Sequence, residues 1–204
     1  MPGNVTLYRA GDPPALEPGY HPLTIEDQTN YASGGAWPAT TTGLSLNRRG
    51  SATFGIDAAN WRGDIPSPGT LGATYTQWKA FYFPGGGPGS LDGDDPDGDS
   101  SSNSREYGLG GNPLTFEPQQ LLLPSITTQP GVAGATDYIF TFKKPLNRPS
   151  TTHAVETTTD FITWTVVPDT IVSATLDSET RRAIITLPAG TPRRFFHLRI
   201  DIAP

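Results

Sequence analysis

A mostly β fold is predicted, with two small β-sandwich-like units joined by a short helix and an acidic loop. Three observations predict it. The 204 residues include 23 Gly and 21 Pro, and only 17% are charged, a mix that suits short strands and frequent turns better than long helices. The last third of the chain alternates apolar and polar residues with period two. Between the two strand-rich parts lies a run of aspartates with no apolar periodicity at all.

Residues 1–72 read as strands broken by Pro and Gly: "NVTLYRAG", "YHPLTIEDQTNY" and "GLSLNRRG". No helix of three turns fits here. Residues 74–83, "TYTQWKAFYF", are the best helix, because Tyr75, Trp78, Phe81 and Tyr82 recur at a spacing of three to four. "PGGGPGS" then connects to the acidic run. After it, "REYGLG" predicts a second, short helix stopped after a turn or so by Gly108, Gly110 and Gly111. From about residue 120 the strands return as "DYIFTFKK", "THAVETTTDFITWTVV", "RRAIITLPAG" and "RRFFHLRIDI". In the last of these, Phe196, Leu198, Ile200 and Ile202 share one face, which predicts a strand at the centre of its sheet. The expected units are residues 1–72, 73–115 and 116–204.

The acidic run, "DDPDGDSSSNSREYGLGGNP", begins at Asp94. With Asp95 as the first position of a twelve-residue loop, Asp97 is third, Asp99 fifth, Ser101 seventh, Asn103 ninth and Glu106 twelfth. These are the ligand positions of an EF-hand loop. Ca²⁺ takes six to eight hard oxygen ligands, and three alternating carboxylates, the Ser101 carbonyl, Asn103 and a two-oxygen Glu106 supply them. The sixth position departs from the pattern: it holds Ser100 where Gly eases a positive φ, at a cost of about 1 kcal/mol. The competing reading is a solvated acidic linker without an ion.

Two stretches resemble known families. Trp37-Pro38, Gly43-Leu44-Ser45-Leu46 with Arg48, Asn60-Trp61 and Pro66-Ser67-Pro68-Gly69 resemble the C-terminal half of a bacterial lamin tail domain, over about residues 3–72. That resemblance implies an immunoglobulin-like sandwich whose opening strands are missing, and hence a chain that is the C-terminal segment of a longer protein. The acidic loop is similar to the Asp-Pro-Asp-Gly-Asp-Gly, Asn, Glu-Tyr-Ala-Leu-Gly, Asp-Pro segments near the C-termini of large exported bacterial proteins, and in style to dockerin and thrombospondin type 3 calcium loops. Trp78, Phe81 and Phe83 before it, and "TTDFITW" and "FFHLRI" after it, extend that likeness. It implies secretion or display at the cell surface.

Charge and motifs narrow the function classes. Asp92, Asp94, Asp95, Asp97, Asp99 and Glu106 against Arg105 leave −5 of the formal −6 between residues 92 and 106. The nearly neutral remainder has no basic stripe to track phosphates, which argues against nucleic acid and anionic membranes. No apolar run reaches the length of a membrane span. With no Cys there are neither disulfides nor thiolate metal sites. His21, His153 and His197 lack the spacing of a zinc site.

No nucleophile elbow or phosphate-cradling loop is present. Glu17, Glu26, Asp27, Asp57, Glu156 and Asp160 offer carboxylates for glycoside hydrolysis, but no spacing selects a pair. Arg62-Gly63-Asp64 spells an adhesion tripeptide within an expected loop. The expected role is therefore non-catalytic: a calcium-stabilised structural or adhesion segment whose partners are other domains of a parent chain, a glycan or a cell-surface protein. The alternative is a glycan-binding module of a carbohydrate-active enzyme, with Trp61 or Trp164 as a stacking platform.

Overall fold

A computed structural model describes residues 3–32, 34–40, 43–50, 54–118, 123–191 and 193–203. The chain is mostly β, in several small sheets, and divides into two compact units, 1–71 and 72–204. The helix, acidic loop and second helix belong to the second unit.

In the first unit β1 (Gly3–Ala10) and β2 (Leu23–Tyr31) form one antiparallel pair, and β3 (Ser45–Arg48) and β4 (Trp61–Asp64) form another. Apolar burial is thin. Ile65 is buried, whereas Val5, Leu7, Leu23 and Ile25 on β1 and β2 are exposed. Polar ties carry much of the order: Trp61 Nε1 donates to the Gly55 carbonyl (2.8 Å), and the Asp27 carboxylate accepts from the Gly55 N–H (2.8 Å) and pairs with Arg48. The adhesion tripeptide lies in strand β4 and not in a loop. Arg62 is buried there, paired with Asp64 (2.9 Å) and donating to the Leu71 carbonyl (2.9 Å), so its guanidinium is not on offer to a receptor.

The second unit carries the larger core. β5 (Ser125–Pro130), β6 (Thr136–Pro145), β10 (Ser178–Leu187) and β9 (Asp169–Ala174) form one antiparallel sheet in the order β5-β6-β10-β9. β11 (Phe195–Ile202), β7 (Thr151–Thr158) and β8 (Thr165–Val167) form a second, in the order β11-β7-β8. Phe140 and Phe142 from β6, Ala183 and Ile185 from β10, and Val155 from β7 are buried between the sheets. Phe140 sits directly opposite Ala183, so a large ring and a small methyl share one rung, and the opposing sheet closes over the space. Phe196 and Leu198 of β11 pack on this cluster.

The shared apolar face of β11 is therefore observed, but its expected central position is not. β11 is an edge strand, paired through the described residues with β7 alone. Alternation reports which face of a sheet is buried; it carries no information on how many neighbours a strand has.

Candidate metal site

Helix α1 (Tyr75–Tyr82) begins in a capping box in which Thr74 and Gln77 satisfy each other's backbone N–H groups. It buries Trp78 completely, against Tyr75, Tyr82, Phe83 and Tyr107. Helix α2 (Asn103–Leu109) is capped by Ser102 and ended by Gly110 at φ 85°, as its glycines predict. It docks on the sandwich through Gly108, where a Cβ would lie 2.6 Å from Ile200 Cγ2. His153 Nε2–H donates to the Gly108 carbonyl at 2.8 Å, which fixes the tautomer.

The loop between the helices is shaped by its own carboxylates. Asp95 accepts from the N–H groups of Gly98 and Ser100, both at 2.9 Å; Asp97 accepts from the Asp99 N–H (3.2 Å), and Asp99 from the Ser101 N–H (2.7 Å). These bonds curl the backbone so that Asp95, Asp97 and Asp99 each place an oxygen within 4.8 Å of the others, a cluster that could hold a metal ion. Ser100 adopts φ 73°, so the sixth position makes its left-handed turn without glycine, with Gly98 at φ 76° beside it.

The remaining predicted residues are buried, and Glu106 is near enough to the three aspartates to feel their charge, though outside the 4.8 Å group. Glu106 is 1% exposed, Ser101 1% and Asn103 0%. Neither carboxylate oxygen of Glu106 has a hydrogen-bond partner, nor do Ser101 Oγ, Asn103 Oδ1 or Asp97 Oδ2. A buried polar atom without a partner costs about 1–3 kcal/mol, and more when charged, so several together mark a place built for something else to fill. Asn103 shows the direction: its amide donates to the carbonyls of Gly89 and Leu91, which turns Oδ1 away from both.

Electrostatics agree. Burial, then repulsion from Asp99, Asp97, Glu117 and Asp95, pushes the Glu106 carboxyl up to about 8. Burial and the charges of Asp99 and Asp95 likewise raise Asp97, against the pull of the Asp99 N–H. The site repels its own charge, and a cation would reverse the sign.

Two acids of the run are employed differently. Asp92 accepts from Lys79 (2.8 Å) and the Tyr75 hydroxyl (3.0 Å), and Lys79 holds its pKa below the usual carboxylate range. Asp94 accepts from the Leu91 N–H (2.9 Å). Both brace the loop against α1 and the turn before it. Glu117 is the residue that the sequence reading missed. Its N–H donates to Asp99 Oδ2 (3.3 Å), and its carboxyl is raised by burial and by Asp99 and Asp97. It lies eleven positions past Glu106, where no loop spacing points.

The other candidates have partners of their own. His21 lies beside the Gly11 carbonyl and His197 pairs with Glu156. Glu26 pairs with Arg9, Asp57 caps a 3₁₀ turn, and Asp160 caps the β7–β8 loop. Trp61 and Trp164 are half-buried, the latter stacked on His197 at 3.9 Å. Comparison of the chain with protein-family models, with curated proteins and with solved structures gives no match.

Proposed function

We propose that this chain is a non-catalytic, calcium-stabilised structural or binding segment of an exported multidomain protein, and that its chemistry is Ca²⁺ coordination by Asp95, Asp97, Asp99, Ser101, Asn103 and Glu106. The observation that carries the reading is the buried, unpartnered Glu106 carboxylate beside three clustered aspartates. All the donors are oxygens, with neither imidazole nor thiolate among them, which favours a hard cation; the mixture of carboxylates, an amide and a backbone carbonyl suits the irregular shell of Ca²⁺ better than the octahedron of Mg²⁺.

Ca²⁺ would neutralise the repulsion that raises Glu106 and lock α2 to the loop. Because α2 meets β7 and β11 through His153 and Ile200, the gain in order would reach the sandwich. Secretion or surface display fits such a site, since extracellular modules bind with dissociation constants on the order of 10⁻⁴ to 10⁻³ M. The partners proposed are other domains of a parent chain and a glycan or cell-surface protein.

Calorimetry with CaCl₂ tests the reading. The expected result is one binding event, with a melting temperature that rises in millimolar calcium and falls back with chelator. At free calcium about 100 times the dissociation constant the gain is roughly 2.7 kcal/mol. No calcium heat and a melting temperature indifferent to chelator would return the loop to a solvated linker.

A further inference from the structure

The second unit has two unlike ends. Pro145, at the end of β6, and His153, near the start of β7, lie beside the end of α2, the helix that follows the acidic loop. At the other end Thr136 of β6 pairs with Leu187 of β10, and Phe195 of β11 pairs with Thr158 of β7. Tyr138 meets Phe196 there at 5.9 Å, which brings the two sheets together and puts three loops on one side: 131–135, 159–164 and 188–194.

The tips of these loops are apolar. Val132 is 88% exposed and Ile162 84%, the largest values for any bulky apolar residue described in the unit, and Phe161 at 61% lies 4.0 Å from Phe195, ring to ring. The tips are held, not slack. Phe161 is kept at φ 60° by its N–H to Thr158 Oγ1 (3.1 Å), while Asp160 takes the N–H groups of Ile162 and Thr163 (2.8 and 2.9 Å). Ala133 is fixed at φ 54° within a turn closed by Gly131 N–H to the Ala135 carbonyl (2.9 Å). A bulky residue at positive φ is uncommon, and here Phe161 holds one with its side chain in water, while the Ala133 turn carries exposed Val132.

Under the 188–194 loop opens a cleft of about 420 Å³ lined by Tyr138, Leu187, Arg193, Arg194 and Phe196. Both arginines are exposed, and neither has an ion-pair partner among the described residues. The acids nearby face solvent but are hydrogen-bonded locally: Asp160 to its own loop, and Asp137 to Thr186 (2.6 Å) and Gln129 (3.2 Å).

We infer that this end of the sandwich docks on an anionic lipid surface, Ile162, Phe161 and Val132 entering the interface while Arg193 and Arg194 take a phosphate in the cleft. Rigid apolar tips flanked by free cations match the two layers of a bilayer surface, acyl boundary and charged headgroup. The lack of a basic stripe in the sequence argues against a broad electrostatic footprint, but Arg193 and Arg194 form a local pair, and the −5 carried by residues 92–106 lies toward the end of the unit where α2 docks. β6 alone spans about 30 Å, several Debye lengths at physiological salt. The inference is independent of the calcium reading.

The test is flotation of the full chain with phosphatidylcholine vesicles, with and without phosphatidylglycerol, in chelator. Binding is expected to the mixed vesicles, with a blue shift of Trp164 fluorescence. Ile162→Ser should weaken it at least about tenfold, and Arg193→Gln with Arg194→Gln roughly tenfold or more, with a flatter salt dependence. All three sites are exposed, so melting temperatures should hold and report intact folding. No flotation, flotation that needs calcium and survives both variants, or concentration-dependent dimers that Ile162→Ser abolishes in place of flotation would each overturn the inference.

Discussion

The side-chain amide of Asn103 donates to the carbonyl of Leu91 at 2.7 Å, and again to that of Gly89 at the same distance. Two acceptors on the amide nitrogen turn the amide oxygen away from both, and that oxygen is buried without a hydrogen-bond partner. A carboxylate at this position would add charge for a cation but set an oxygen against two carbonyl oxygens. Asn103→Asp is therefore expected to weaken calcium binding about tenfold, and to destabilise the calcium-free protein by about 3 kcal/mol or more. Calorimetry and urea unfolding in chelator check both effects.

Glu106→Gln should separate the two states in opposite directions. In chelator it removes a buried, self-repelled charge, so the melting temperature should rise at pH 8. In calcium the same variant should lose most of the shift seen in the parent. A variant that melts lower than the parent in chelator would show that Glu106 already has a partner.

His153 should make the second unit sensitive to acid. Burial holds its imidazole below the ordinary value of 6.5, outweighing the Gly108 carbonyl that favours the cation. The unfolded chain takes up a proton first as pH falls. Stability should then be full above about 6.5 and decline below it, by up to about 1.4 kcal/mol per pH unit. The raised Glu106 works the other way, favouring the fold as pH falls from about 8, so the measurement belongs in saturating calcium. His153→Gln should flatten the slope.

Gly72→Ala should be among the costliest glycine substitutions. A Cβ there would stand 2.2 Å from the Asn147 carbonyl oxygen, with φ at 152°. A loss of about 3 kcal/mol or more is expected. Gly190→Ala, at φ 77° with no neighbour within 4 Å, should cost only about 1 to 2 kcal/mol. Thermal unfolding of the pair distinguishes contact from backbone strain.

Periodicity told faces well and neighbours badly. The alternation of Phe196, Leu198, Ile200 and Ile202 located the buried side of β11, yet β11 is an edge strand, because ladder position depends on residues far away in the chain. The spacing of Trp78 and its aromatic neighbours located α1, because helical geometry is local. The clustering of Asp95, Asp97 and Asp99 was legible for the same reason, since alternate positions of one short loop bring the three together. Glu117 was not, since it arrives from beyond α2 through a turn that tertiary packing sets. Nor was the division of labour among the aspartates, because Asp92 differs from Asp95 only in standing beside Lys79 and Tyr75.

The hydroxyl of Tyr107 donates to the carbonyl of Ala73 at 2.9 Å, with Trp78 packed beside its ring. The chain thus leaves Ala73, runs through α1 and the acidic loop, and is clasped back onto its own starting point. A peptide bond cut near Ser100 would fall inside this closed circuit. The two fragments, separate on a denaturing gel, should still elute together under native conditions, held by the Trp78–Tyr107 cluster. If the loop holds calcium as proposed, severing it would abolish the metal's hold without dismantling the sandwich, and a single nick would leave a folded protein whose melting temperature no longer responds to calcium.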